Sequence, residues 1–81
     1  DTFYGLELAY EAGRKGGSLP TVFNAANELA VSKFLNREIK YLEITEIIED
    51  CMKAHKNIEN PTLEQILETE AATYERINSR R

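Results

Sequence analysis

The chain has 81 residues and a formal net charge of −4, with ten Lys and Arg against fourteen Asp and Glu. A chain of this length forms one small domain with a modest core and cannot enclose a deep catalytic cleft. Hydrophobic residues make up 42% and charged residues 30%, which excludes a disordered chain, and the acidic balance argues against nucleic acid or an anionic membrane as a partner.

The first predicted element is a helix from Thr2 to about Arg14. Its expected apolar face follows helical spacing: Leu6, Ala9, Tyr10 and Gly13. We expect Gly16-Gly17 to end this helix, because glycine accepts the left-handed backbone geometry that follows a helix C-terminus. The segment superficially resembles a phosphate-binding loop, but a Walker loop carries its lysine after the last glycine and follows a strand. The sequence therefore predicts a helix stop here.

The second predicted helix runs from Pro20 to about Leu35, with Ser18 as its candidate N-cap. Apolar residues lie on most of its sides: Val22, Phe23, Ala25, Ala26, Leu29, Ala30, Val31, Phe34 and Leu35. Such a helix usually has neighbours on several faces, so we expect it to be central. Its polar residues Asn24, Asn27 and Glu28 share a side with an apolar valine, and we expect them to be at least partly buried.

Asn36 is expected to end the second helix, and an extended connector is expected over residues 37–43. Thr45 is then the candidate N-cap of a third helix that runs to about Lys56. The apolar face of this helix is predicted to hold Ile44, Ile47, Ile48, Cys51, Met52 and His55. Cys51 and His55 lie four residues apart, but no second cysteine or histidine completes a zinc site, so the prediction for both is core or half-buried packing.

Thr62 and Gln65 have the spacing of a capping box and predict the start of a fourth helix, which runs to about Ser79. Its expected apolar face holds Leu63, Ile66, Leu67, Ala71, Tyr74 and Ile77. The third and fourth helices carry acidic residues near their N-termini and basic residues near their C-termini, which complements the helix dipole. We therefore expect solvated charges here, not catalytic carboxylates. The predicted fold is all-α, a small four-helix bundle.

The amphipathic pattern of the second helix does not explain why the polar residues Asn24, Asn27 and Glu28 are clustered. Ala25 and Ala26 lie between the amides and would let another backbone approach closely, and amides can bond both N–H and C=O groups. Two interpretations stay open. The cluster is either a clamp on a loop of this bundle or a docking surface for a partner outside these 81 residues. Direct catalysis is not expected, because an amide exchanges no proton near neutral pH.

Several segments together resemble the C-terminal domain of the 1-deoxy-D-xylulose 5-phosphate reductoisomerase family. They are residues 5–13, residues 16–31 with Asn-Ala-Ala-Asn-Glu at 24–28, and the later residues 34–35, 39–44, 47–49 and 61–67. The resemblance covers essentially the whole chain. It implies that residues 1–81 are a single C-terminal helical domain of a larger enzyme whose nucleotide-binding and catalytic domains are absent, and it allows a superhelical winding of the bundle.

The resemblance also implies a reaction for the parent enzyme. Family members convert 1-deoxy-D-xylulose 5-phosphate to 2-C-methyl-D-erythritol 4-phosphate in non-mevalonate isoprenoid biosynthesis, with NADPH and Mg²⁺ or Mn²⁺. The residues that bind metal, phosphate and nucleotide belong to the absent domains, so no catalytic, cofactor-binding or metal residue is assigned to this sequence. We expect the 81 residues alone to bind no cofactor and to be inactive.

The partner that the resemblance implies is the catalytic domain of the same chain, in a parent enzyme that is a homodimer. Bacterial cytoplasm or plastid stroma is the implied location, with the cytoplasm preferred. We expect a supporting domain that packs on the catalytic domain partly through Asn24, Asn27 and Glu28 and keeps the active-site wall rigid. The alternative is a free-standing helical module that binds another protein by helix-in-groove docking.

Overall fold

The computed structural model describes the backbone of residues 2–79 and the side chains of residues 5–79. Four helices connected by short segments occupy most of this range: α1 Thr2–Lys15, α2 Leu19–Leu35, α3 Tyr41–Ala54 and α4 Leu63–Asn78. No strand occurs within residues 2–79, which confirms the predicted all-α bundle. None of the described helices combines the length and the apolar character needed to cross a membrane.

The two middle helices, α2 and α3, pack directly against each other and form the centre of the bundle. α1 covers this pair on one side and α4 covers it on the other, and within the described residues α1 and α4 do not touch. Gly5 lies beside Thr45, so α1 and α3 begin at the same end. Ile47 lies near Ile77 and His55 near Thr69, which makes α3 and α4 antiparallel.

All four helices contribute to one hydrophobic core. Its buried members are Leu8, Ala12, Leu19, Val22, Ala26, Ala30, Ile47, Ile48, Cys51, Met52 and Ile77. Ala25, Ala26 and Ala30 of α2 are buried with at most 3% of their surface exposed, and side chains this small let the neighbouring helices approach closely. Because α2 contacts α1, α3 and α4, the predicted central position of this helix is confirmed.

The predicted apolar face of α1 is wrong. Leu8 and Ala12 are buried, whereas Leu6 and Tyr10 are 51% and 64% exposed. Both sides of α1 carry apolar residues, and the helix is covered by the bundle on one side only. Helical spacing alone therefore does not decide which side faces the core.

The buried face of α4 also differs from the predicted one. Its buried residues are Thr69, Thr73 and Ile77, whereas Leu63 and Leu67 are 72% and 55% exposed. The hydroxyl of Thr73 donates to the carbonyl oxygen of Thr69 at 2.8 Å. Because the helix backbone accepts a hydrogen bond from this hydroxyl, the Thr73 methyl group can pack against the core much as an apolar side chain does.

The predicted start of α3 is wrong by several residues. The helix begins at Tyr41, within the expected connector, and Thr45 lies inside it with its hydroxyl donating to the carbonyl oxygen of Leu42 at 3.4 Å. The Glu43 carboxylate accepts from the backbone N–H of Lys40 at 2.7 Å and so supports the helix start. The Tyr41 ring also packs edge-on against a phenylalanine of α2, with ring centroids 5.6 Å apart.

α3 ends at Ala54, two residues before the predicted Lys56, with His55 as its extended C-cap. The ends of α1 and α2 and the start of α4 follow the predicted signals. α1 ends at Lys15 and is followed by Gly16 and Gly17 with φ angles of +65° and +63°, the left-handed geometry expected of the glycine pair. α2 ends at its C-cap Asn36. At the start of α4, the backbone N–H groups of Thr62 and Gln65 each donate to the other residue's side chain, at 2.9 and 3.1 Å. The predicted capping box is thus confirmed.

Candidate functional site

The predicted cluster lies on the outward side of α2. Asn24, Asn27 and Glu28 are all exposed, so the expectation that they are at least partly buried is wrong for this chain. The reason is that α1, α3 and α4 leave one strip of α2 uncovered. Leu35 lies on the same strip and is 71% exposed. We call Asn24, Asn27, Glu28, Val31 and Leu35 the outer strip of α2.

The members of the cluster differ in their bonding. Within residues 5–79, the side chains of Asn24 and Asn27 make no hydrogen bond. The Glu28 carboxylate accepts from the hydroxyl of Tyr74 at 2.8 Å and links α2 to α4. This hydrogen bond, together with burial and the charges of Glu28 and Glu70, raises the pKa of Tyr74 to about 12. The two amides therefore clamp no loop of the described bundle, and Glu28 is held in place by α4.

An apolar groove lies next to the outer strip, between α1, α2 and α3. It has a volume of about 490 Å³, and Asn27 stands at its edge. Its apolar lining includes Leu6, Ala9, Phe23, Val31, Tyr41 and Ile44. More than half of the surface of Leu6 and of Tyr41 is exposed. One side of the molecule thus combines unbonded amides with exposed apolar side chains.

A clamping amide does exist in the molecule, at a position that no pattern in the sequence indicated. Asn57 Oδ1 accepts from the backbone N–H groups of Ser18 and Leu19, each at 2.9 Å. The same oxygen lies 3.1 Å from the Ser18 hydroxyl, and Asn57 Nδ2 donates to the carbonyl oxygen of Gly16 at 3.1 Å. Asn57 therefore joins the α1–α2 connection to the α3–α4 connection.

Ser18 lies at the centre of the same contact. Its hydroxyl accepts from the N–H of Ile58 at 2.8 Å and lies 2.7 Å from His55 Nε2. Ser18 is the N-cap residue of α2, as predicted, but its side chain bonds the α3–α4 connection and makes no capping hydrogen bond. Gly17 is required next to it, because a Cβ there would lie 2.5 Å from the carbonyl oxygen of Ile58. We call Ser18, His55, Asn57 and Ile58 the loop clasp.

The loop clasp brings together a hydroxyl, an imidazole and an amide, the residue types of some nucleophilic sites. Ser18 is completely buried, and its oxygen already contacts Ile58, His55 and Asn57. A substrate carbonyl could not reach this oxygen. Burial lowers the pKa of His55, which favours the neutral imidazole. The geometry is therefore that of a structural contact.

The described residues do not fit a metal ion. No three His, Cys, Asp or Glu side chains of this part of the chain come together as a ligand set. Cys51 is buried in the core, and His55 is bonded to Ser18, as expected of packing residues. Arg76 forms a two-point ion pair with Asp50 at 2.9 and 3.1 Å, which ties α4 to α3 at the surface.

Comparison with known proteins agrees with these observations. The family model described as the DXP reductoisomerase C-terminal domain matches residues 1–76. Proteins named 1-deoxy-D-xylulose 5-phosphate reductoisomerase are 58% identical in Agathobacter rectalis and 55% in Lachnospira eligens, each over 80 residues. The protein of that name in Thermoanaerobacter sp. is 53% identical over 77 residues.

These alignments cover 99%, 99% and 95% of this chain but 21%, 21% and 20% of the three relatives. The chain thus spans about a fifth of the length of the relatives that it matches. The family match extends over nearly the whole chain and fits the four-helix architecture. The chain belongs to the family of DXP reductoisomerase C-terminal domains.

Proposed function

We propose that this chain is the C-terminal domain of a 1-deoxy-D-xylulose 5-phosphate reductoisomerase and supports the enzyme's catalytic part without carrying chemistry itself. The parent enzyme would form 2-C-methyl-D-erythritol 4-phosphate with NADPH and Mg²⁺ or Mn²⁺, all bound outside these 81 residues. The family match and the length of the relatives, about five times that of this chain, support the proposal.

The observation that carries the supporting role is the outer strip of α2. Its two amides are unbonded within residues 5–79, and it borders a groove with exposed apolar side chains. Contiguous apolar surface next to polar groups is typical of an interface between proteins or domains. Asn24 and Asn27 could each offer a donor and an acceptor to a facing backbone. We infer that the catalytic part of the same chain packs on this side.

The bundle is suited to a supporting role because α2 is held on three sides by other helices. Glu28 is fixed further by Tyr74. A surface carried by such a helix can hold a neighbouring active-site wall in place, and a misplacement of about 1 Å can cost about 100-fold in rate. The domain would thus affect turnover without touching the substrate.

The parent enzyme is proposed to be a homodimer in the bacterial cytoplasm. The three relatives named above come from bacteria, which favours this location over a plastid. A free-standing interaction module is supported less well, because relatives that are 53–58% identical are about five times longer.

The test is the double variant Asn24→Leu, Asn27→Leu, made both in the full-length enzyme and in the 81-residue chain. Because both amides are exposed and make no hydrogen bond within residues 5–79, we expect the urea midpoint of the 81-residue chain to stay unchanged. We expect kcat of the full-length enzyme to fall about tenfold or more, since the facing wall loses its hydrogen bonds. Glu46→Leu, on the outward side of α3, is the control and should leave kcat unchanged.

Two results would contradict the proposal. If the double variant of the full-length enzyme keeps both its turnover and its stability, the outer strip has no supporting role. If the 81-residue chain itself loses stability, the amides act as a clamp inside the bundle, against the exposure seen here.

A further inference from the structure

We propose that the groove between α1, α2 and α3 is covered by the segment of the longer polypeptide that directly precedes residue 1. This inference rests on the proposed function, because it requires the chain to be the C-terminal part of a longer protein. The matched family is a C-terminal domain, and the chain accounts for about a fifth of its relatives, so about four fifths of the polypeptide would precede it.

The location of the groove favours this occupant. α1 begins at Thr2, and the groove opens beside Gly5 and Leu6 at the start of this helix. The starts of α1 and α3 meet here, since Gly5 lies beside Thr45. A preceding segment would therefore enter within a few residues of the groove. A short tether of this kind gives an effective concentration of roughly millimolar, which favours the attached segment over a separate partner.

The chemistry of the groove indicates which side chains the covering segment places in it. None of the residues that line the groove within the described range is charged, and most are apolar. The occupant should therefore place a leucine-like or aromatic side chain between Phe23 and Ile44. The amide of Asn27 at the groove edge makes no hydrogen bond within residues 5–79 and can pair with one peptide group of an extended segment. An uncharged, extended stretch with apolar side chains fits both features.

The experiment measures how fast a thiol reagent labels a cysteine placed in the groove. Ala9→Cys lies on its α1 wall, and Val31→Cys on its α2 wall serves if the first variant does not fold. The native Cys51 is buried in the core, so slow labelling of Cys51 in each protein shows that the bundle is folded there. Glu46→Cys, on the outward side of α3, is the matched control.

Labelling is compared in three proteins: the 81-residue chain, this chain with about 25 of its preceding residues, and the full-length enzyme. The bundle is 36 Å long, and an extended chain of about 11 residues spans that distance. About 25 preceding residues are therefore enough to reach and cover the groove. We expect the groove cysteine to react at least tenfold more slowly in the extended chain and in the full-length enzyme than in the 81-residue chain. The control cysteine should react at the same rate in all three.

Three results would overturn the inference. Protection in the full-length enzyme alone would mean that a more distant part of the protein covers the groove. Protection of the 81-residue chain together with a dimer in sedimentation would mean that a second copy covers it. Equal labelling in all three proteins would mean that the groove stays open. Turnover of the unlabelled full-length variant is measured alongside, so a failure of the proposed function is recognised separately.

Discussion

The side-chain amides of Asn24, Asn27 and Asn57 differ in their hydrogen bonds because they lie at different places in the bundle. Asn57 bonds Ser18, Leu19 and Gly16, across a separation of about 40 residues. Asn24 and Asn27 make no such bond within residues 5–79. The sequence predicted an amide cluster on α2 but not the clamping role of Asn57. The partners of Asn57 are distant in sequence, and Asn57 lies in a connection without helical periodicity, so no local pattern indicates this role.

At the residue scale, His55 should make the stability of the domain depend on pH. Burial lowers its pKa in the folded chain, whereas the unfolded chain titrates near 6.5. Between these two pKa values the unfolded state binds more protons, so the free energy of unfolding should rise with pH and fall as the solution is acidified. His55 is the single histidine of the chain, so a change of stability with pH just below 6.5 can be assigned to this residue.

Urea unfolding of the 81-residue chain at a series of pH values between about 5 and 7 measures this dependence. The variant His55→Gln, whose amide can donate to or accept from the Ser18 hydroxyl, should lose the part of the slope just below pH 6.5. An equal slope in both proteins over this range would show that His55 is not responsible.

At the scale of helices and connections, the sequence predicted what depends on local signals. The glycine pair after α1, the C-cap Asn36 and the capping box at Thr62 are recognisable because their partners lie within a few residues. The buried sides of α1 and α4 could not be predicted in the same way. Leu6 and Leu67 occupy good apolar positions, but only the arrangement of neighbouring helices decides that they stay exposed.

The loop clasp should contribute to stability by joining two connections. We expect Asn57→Leu to lower the free energy of unfolding by about 1–3 kcal/mol, because three hydrogen bonds of Asn57 are lost, those with the N–H groups of Ser18 and Leu19 and with the carbonyl oxygen of Gly16. Each of these backbone groups keeps one backbone partner. Glu59→Leu is the matched control in the same connection: this side chain is exposed, makes no hydrogen bond within the described residues, and its replacement should cost less than about 0.5 kcal/mol. Urea midpoints of the two variants give the comparison, and equal midpoints would contradict a stabilising clasp.

At the scale of the whole molecule, the bundle has two different sides. The outward side of α3 carries charged residues such as Glu46 and Lys53, whereas the opposite side carries the outer strip of α2 and the apolar groove. Neither side brings together the side chains that a metal site needs within the described residues. This division is consistent with a domain that docks on a larger protein through one side.

The most direct test of this account is the steady-state rate of NADPH oxidation with 1-deoxy-D-xylulose 5-phosphate and Mg²⁺. The rate is measured for the full-length polypeptide and for the 81-residue chain at equal molar concentration. We predict that the full-length protein turns over and that the 81-residue chain shows no rate above background. Turnover by the 81-residue chain, or an inactive full-length protein, would contradict the account.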